Sequence, residues 1–154
     1  MTDRIDNLLS AGMAARQPAS DEEIVGVWKN AVKAYGDARL AEASSDGRVV
    51  RAYDSARLAS HGLVRSRDLK ARGQNHHEIT LTLAAIIGGE EFERALREVN
   101  ELRKIRNTLE YGWEEASRRD AERAVATVEK LLGLAAENLR AHRPDLAERI
   151  SSPV

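Results

Sequence analysis

Prolines stand only at positions 18, 144 and 153, so the chain from Ala19 to Arg143 contains none. Proline breaks helix interiors, and the apolar residues here are nearly all Ala, Leu, Val and Ile, with one Phe, three Tyr and two Trp. The combination favours helices throughout. A length of 154 residues suits one domain able to bury a core. Lys and Arg total 24 against 25 Asp and Glu, a net charge of −1. That balance excludes a protein that coats nucleic acid through bulk charge and leaves a local basic patch open. Without cysteine there are no disulfides or thiolate metal sites. No apolar run approaches the ~18 residues a membrane helix needs, and no basic, apolar leader is visible, so a cytoplasmic protein is expected.

Apolar spacing divides the chain further. Thr2 can cap a short helix carrying Ile5, Leu8, Leu9 and Met13 on one face. Gln17-Pro18-Ala19 breaks it, which makes residues 1–19 an N-terminal appendage. Ser20-Asp21-Glu22-Glu23 reads as a capping box, and Ile24, Trp28, Ala31, Tyr35 and Ala38 then recur at spacings of three and four, predicting a helix to about Ala43. After the turn Ser44-Ser45-Asp46-Gly47, a second helix buries Val49, Tyr53, Ala56, Ser60 and Leu63, antiparallel to the first. Asn75 with Glu78 is again cap-like. Ile79-Thr80-Leu81-Thr82-Leu83 alternates as a strand would, but a lone strand lacks a partner, so residues 76–87 are expected to form a short helix ended by Gly88-Gly89. Helices from Glu90 to about Tyr111 and from about Glu114 to Ala141 follow. The second of these buries Ala121, Val125, Val128, Leu132, Ala135 and Leu139, and Pro144 ends it. The expected architecture is all-α, an antiparallel bundle of four to five helices over residues 20–143, with the short helical extension before it and a polar tail at 144–154.

One stretch, Arg103-Lys104-Ile105-Arg106-Asn107-Thr108-Leu109-Glu110-Tyr111-Gly112-Trp113, breaks the pattern. With Val99 at zero on a helical wheel, Phe92, Ala95, Leu96, Leu102, Leu109 and Trp113 lie within roughly 80°. Arg106 and Glu110 fall within about 20° of the centre of that stripe. Burying charge costs several kcal/mol unless it is paired, so the two residues form either an internal ion pair or a site. Arg103, Arg106, Asn107 and Glu110 together put two guanidiniums, an amide and a carboxylate at one helix end, and arginine grips phosphate with two prongs.

The remaining polar features are plainer. His76 and His77 are adjacent, so on a helix they point about 100° apart and cannot chelate zinc from one face. With no third ligand near, no metal is expected, and the pair is read as hydrogen-bonding backbone at a helix start. His61 reads as a half-buried residue of the second helix. The run Arg65-Ser-Arg-Asp-Leu-Lys-Ala-Arg72 reads as a solvated loop or a phosphate-contacting edge. No nucleophile motif, phosphate-cradling glycine loop or paired-carboxylate spacing occurs, and no cofactor is expected.

Arg106-Asn-Thr-Leu-Glu-Tyr-Gly112, preceded by Gly73-Gln-Asn-His-His-Glu78 and Ala52-Tyr-Asp-Ser-Ala-Arg-Leu58, resembles the HEPN superfamily over about residues 21–140, especially a small bacterial branch with an Arg-Asn-x-x-Glu-Tyr-Gly-like motif. The resemblance implies a helical bundle, commonly a homodimer, belonging to toxin–antitoxin, phage-defence or nucleotidyltransferase-associated modules. It also implies RNA or nucleotide phosphate as ligand. Many members are metal-independent ribonucleases with an Arg-x(4–6)-His motif, the arginine binding the scissile phosphate and the histidine moving the proton. Arg106 matches that arginine and Asn107 its frequent polar neighbour, whereas Tyr111 stands where the histidine would be. Tyrosine, with an ordinary pKa of about 10, is a poor general base near neutrality, so the implied ribonuclease is weaker than usual. The expected binding residues are Arg103, Glu110, His76 and His77, around Arg106, Asn107 and Tyr111 as catalytic candidates. The alternative is a non-catalytic interaction protein, the partner of a nucleotidyltransferase or an antitoxin, in which Arg106 and Glu110 are structural.

Overall fold

Three serines in extended backbone start three of the helices. Ser20, Ser44 and Ser117 each accept, on the side-chain oxygen, the N–H three residues on, from Glu23, Gly47 and Asp120. They precede α2 (Asp21–Ala38), α3 (Ser45–Ser66) and α6 (Arg118–His142). The cap satisfies one of the four N–H groups that a helix start leaves without a partner. The computed structural model describes residues 2–109 and 116–153, with side chains over 3–104 and 116–153. Its other elements are α1 (Thr2–Ser10), β1 (Ala14–Arg16), β2 (Leu69–Ala71), α4 (His76–Gly88), α5 (Glu90–Leu109) and a 3-10 helix over Pro144–Arg149.

The α2–α3 pair is antiparallel, as the turn at 44–47 predicts. Arg48 Nε donates to the Ala38 carbonyl, Arg51 to Asp37, Ser55 Oγ to the Ala31 carbonyl and Arg65 to Glu23, so position falls along α2 as it rises along α3. Alanines at 31, 34 and 38 and at 52, 56 and 59 are all fully buried, which lets these helices approach closely. α3 is the central element, packing against α2, α4, α5 and α6. The core gathers Trp28, Tyr35, Leu63, Leu83, Phe92, Leu131, Leu132 and Leu139. Along α5 the buried residues are Phe92, Ala95, Leu96, Val99 and Leu102, the predicted stripe.

Residues 76–88 are helical as expected. Thr80 and Thr82 donate their hydroxyls to the carbonyls of His76 and Glu78, one turn back, which lets an alternating sequence sit in a helix with its polar atoms satisfied. Asn75, however, makes no side-chain cap. Its backbone (φ −95°, ψ 28°) is not extended, so the amide does not reach the first-turn N–H groups. Two boundaries also move inward. α2 stops at Ala38, whose carbonyl is taken by Arg48, and α6 begins at Arg118 because Ser117 and Asp120 form a reciprocal capping box there.

The basic run is not a plain loop. Within it β2 pairs antiparallel with β1, Ala14 opposite Ala71, Ala15 opposite Lys70 and Arg16 opposite Leu69. Ala14 and Leu69 are buried, which gives this small clip its reason to form. Asp68, in the left-handed region at φ 55°, turns the chain into β2 and accepts the Ala19 N–H on its carboxylate. At the other end Leu146 and Ile150 are buried, and Trp28 Nε1 donates to the Ser151 carbonyl at 2.9 Å, so residues near the C-terminus lie against α2 and α6.

The α4–α5 corner requires glycine at one position for space. A Cβ on Gly88 would sit 2.5 Å from Phe92 Cγ, and Phe92 is wholly buried with no room to withdraw. Gly89, at φ 92°, supplies the left-handed stop. Gly88→Ala is expected to cost about 1–3 kcal/mol by overpacking, lowering the melting midpoint by roughly 2–10 °C. An unchanged melting curve would contradict this account of the corner.

Candidate functional site

Tyr53, Arg57 and His61 recur every four residues on α3, forming a polar column beside the alanine column that packs on α2. Helical geometry stacks such residues on one face. The column borders the start of α4 and the second half of α5. A groove of about 510 Å³ opens there, lined by Tyr53, Arg57, Gln74, Asn75, His77 and Arg103, with Glu78 and Leu81 at its side. The guanidinium of Arg103 stacks over the Tyr53 ring, 4.8 Å from its centroid. That contact, with Nη1 also donating to Asn100 Oδ1 at 3.5 Å, holds a long side chain in one place at the groove.

Beside the groove lies a smaller, more enclosed pocket of about 220 Å³, lined by Arg57, His61, Lys70, Ala71, His76, His77 and Thr80. Arg57 and His77 line both spaces. The β1–β2 clip supplies the wall made by Lys70 and Ala71. His76 sits at the first position of α4 with Nδ1 3.1 Å from the Gly73 carbonyl, the backbone contact expected of it, and its ring centroid is 4.1 Å from that of His77. Partial burial, and then the charges of His76, Arg57 and Arg103, lower the pKa of His77 below the ordinary histidine value. Burial, then the Arg65 charge, does the same for His61. Both are therefore neutral at pH 7 and ready to gain a proton when an anion arrives.

Of the residues singled out in the sequence, Arg103 and His77 meet in the groove, and His76 and His77 in the side pocket. Arg106 and Asn107 occupy the last turn of α5, a single turn beyond Arg103. Their side chains, and Glu110 and Tyr111 altogether, lie outside the described residues. In the sequence Lys70 enters only through the basic run 65–72, read as a solvated loop or a phosphate-contacting edge, and Gln74 only through the Gly73–Glu78 stretch, while Tyr53 reads as core and His61 as an isolated histidine. The signal for the α3 group is the four-residue spacing of Tyr53, Arg57 and His61. Among the described residues no group of three or more His, Cys, Asp or Glu is arranged to hold a metal ion. No described helix is long and apolar enough to cross a membrane.

A bundle of antiparallel helices around a central α3, with a basic, aromatic-edged groove at its flank, defines an all-α helical-bundle protein. The family model of the HEPN domain matches residues 27–139, and the chain belongs to the HEPN family. No curated protein and no solved structure matches it at a significant level.

Proposed function

We propose that this HEPN protein binds RNA or a nucleotide through its phosphates in the groove between α3, α4 and α5, as a homodimer in a toxin–antitoxin or phage-defence type of module. The observation that carries the reading is the Arg103–Tyr53 stack with Arg57 and His77 lining the same groove. Guanidiniums with aromatic faces are what single-stranded nucleic acid uses, phosphate on the cation and base on the ring. Arg106 and Asn107, one turn farther along α5, extend the same helix end. HEPN domains commonly dimerise, which supports a twofold arrangement that closes a cleft over these residues.

In this reading Arg106 holds a phosphate, and cleavage is metal-independent and slow because Tyr111 is a weak proton acceptor near neutral pH. The same tyrosine favours a second reading, a non-catalytic partner of a nucleotidyltransferase, in which the groove serves recognition alone.

Fluorescence anisotropy with a short single-stranded RNA tests the groove. Arg57→Ala and Arg103→Ala are each expected to weaken binding about tenfold, the effect of one charge-assisted hydrogen bond. Each should also reduce the slope of log affinity against log salt by about 0.7. Arg94→Ala, exposed on α5 and paired with Glu90, is the control. Equal losses in all three variants, or no binding by the native protein, would remove the groove from the function.

A further inference from the structure

The side pocket differs from the groove in shape and in charge. It is the smaller and more enclosed of the two, and its lining holds Arg57, His61, Lys70, His76 and His77 with no carboxylate. A chain of net charge −1 has thus gathered two cations and three imidazoles around a space of about 220 Å³. The acids close by are committed elsewhere or face another space. On α2, Glu23 is bonded to Arg65 of α3. Asp68, before β2, accepts the Ala19 N–H. On α4, Glu78 lines the groove rather than the pocket, and α5 contributes Arg103 on that side. Thr80 Oγ1 donates to the His76 carbonyl, so toward the pocket it offers lone pairs only.

We infer that this pocket receives a terminal phosphate monoester, the phosphorylated end of an RNA or the phosphate of a mononucleotide, while the rest of the ligand lies along the groove. The inference rests on the groove reading for where the remainder of the ligand runs. The smaller and less open of the two spaces suits a group attached to the chain on one side only, whereas a phosphodiester needs an exit for the strand on both sides. Arg57 and His77, shared between the two spaces, join the end group to the next phosphate. A monoester carries about −1.5 to −2 at pH 7, with a second pKa near 6, against a single charge on a diester. His61 and His77, both held neutral, take up protons as the dianion enters, so discrimination between monoester and hydroxyl ends grows as pH falls from 8 toward 6.

Anisotropy on the full chain compares one RNA sequence with a phosphate at the 5′ end, at the 3′ end, and with hydroxyls at both, at pH 8 and pH 6. One phosphorylated form is expected to bind about tenfold more tightly than the hydroxyl form at pH 6, and less so at pH 8. Lys70→Ala and His61→Gln should abolish that preference. Uridine monophosphate as competitor separates the two sources, since displacement matching that by phosphorylated RNA identifies a free nucleotide and weaker displacement an RNA end. A preference absent at both pH values, or flat between them, overturns the proposal. Should hydroxyl-ended RNA fail to bind, the groove reading falls alone, and NMR still reads the pocket. Inorganic phosphate is expected to shift the imidazole signals of His61, His76 and His77 while leaving His142, which lies outside the pocket, in place. An unmoved His61 signal overturns the pocket as well.

Discussion

Replacing Arg65 by alanine is expected to lower the melting midpoint by about 6–12 °C. The side chain is only 3% exposed, yet it is fully engaged. Its Nε donates to Glu23, Nη1 to the carbonyls of Gln17 and Leu69, and Nη2 to the carbonyl of Pro18. One guanidinium therefore fastens α3 to α2, to the strand after it and to the segment before α2. Removing it leaves several acceptors without a donor and a void between elements, for which about 3 kcal/mol is a fair magnitude. Arg65→Lys should recover little, because an ammonium on a flexible stem cannot serve carbonyls spread over a planar fork. Thermal denaturation by circular dichroism checks both. A lysine variant as stable as the native chain would show that charge rather than fork geometry matters at this position.

Tyr111→His is expected to raise metal-independent RNA cleavage by roughly 10²–10⁴-fold, the usual contribution of a positioned general acid–base group. The motive is sequence alone: Tyr111 follows Arg106 at the spacing where the resemblance to HEPN ribonucleases implies a histidine. The histidine would titrate near 6.5, so activity should rise as pH increases through that value if it acts as base. EDTA should leave the rate unchanged. Brisk cleavage by the native protein, lost in His76→Ala or His77→Ala, would refute the idea that Tyr111 disables the site and assign the proton transfer to that pair. Arg106→Ala and Glu110→Gln complete the series. A large fall in melting midpoint in both variants marks a structural ion pair, and unchanged melting with lost RNA binding marks a site.

Periodicity is enough to read the helices, because each main helix writes its buried face at spacings of three and four and most turns carry serine or glycine signals. Phe92 through Leu102 is the clearest case, every stripe position being buried. What sequence does not disclose is pairing across distance. Leu69 stands between Asp68 and Lys70 and Ala14 in a short run of small residues with Met13, and only the fold brings the two strands together. The same holds for charge. Arg65 and Lys70 look equivalent in one basic run, yet the first is buried among carbonyls and the second is exposed at the mouth of a pocket. At Ser20 only half of the expected capping box forms. Ser20 accepts the Glu23 N–H, while the Glu23 carboxylate turns away to Arg65. At the site, Arg103 and the histidines stand out one by one, and Tyr53, Arg57 and His61 escape notice as a group because each has an ordinary explanation when taken singly.

The β1–β2 clip also bears on the order of folding. α2 and α3 are neighbours along the chain, and their pairing closes only a short loop, so this hairpin can form early. β1 and β2 flank that hairpin, whose antiparallel pairing brings them side by side, so their contact of three residues a side closes at little further entropic cost. Lys70 and Ala71 reach their places only after it closes. The wall that Lys70 and Ala71 make therefore depends on the α2–α3 pairing, whereas α6, which meets α3 across a longer stretch of chain, is the later and dearer addition to the interior.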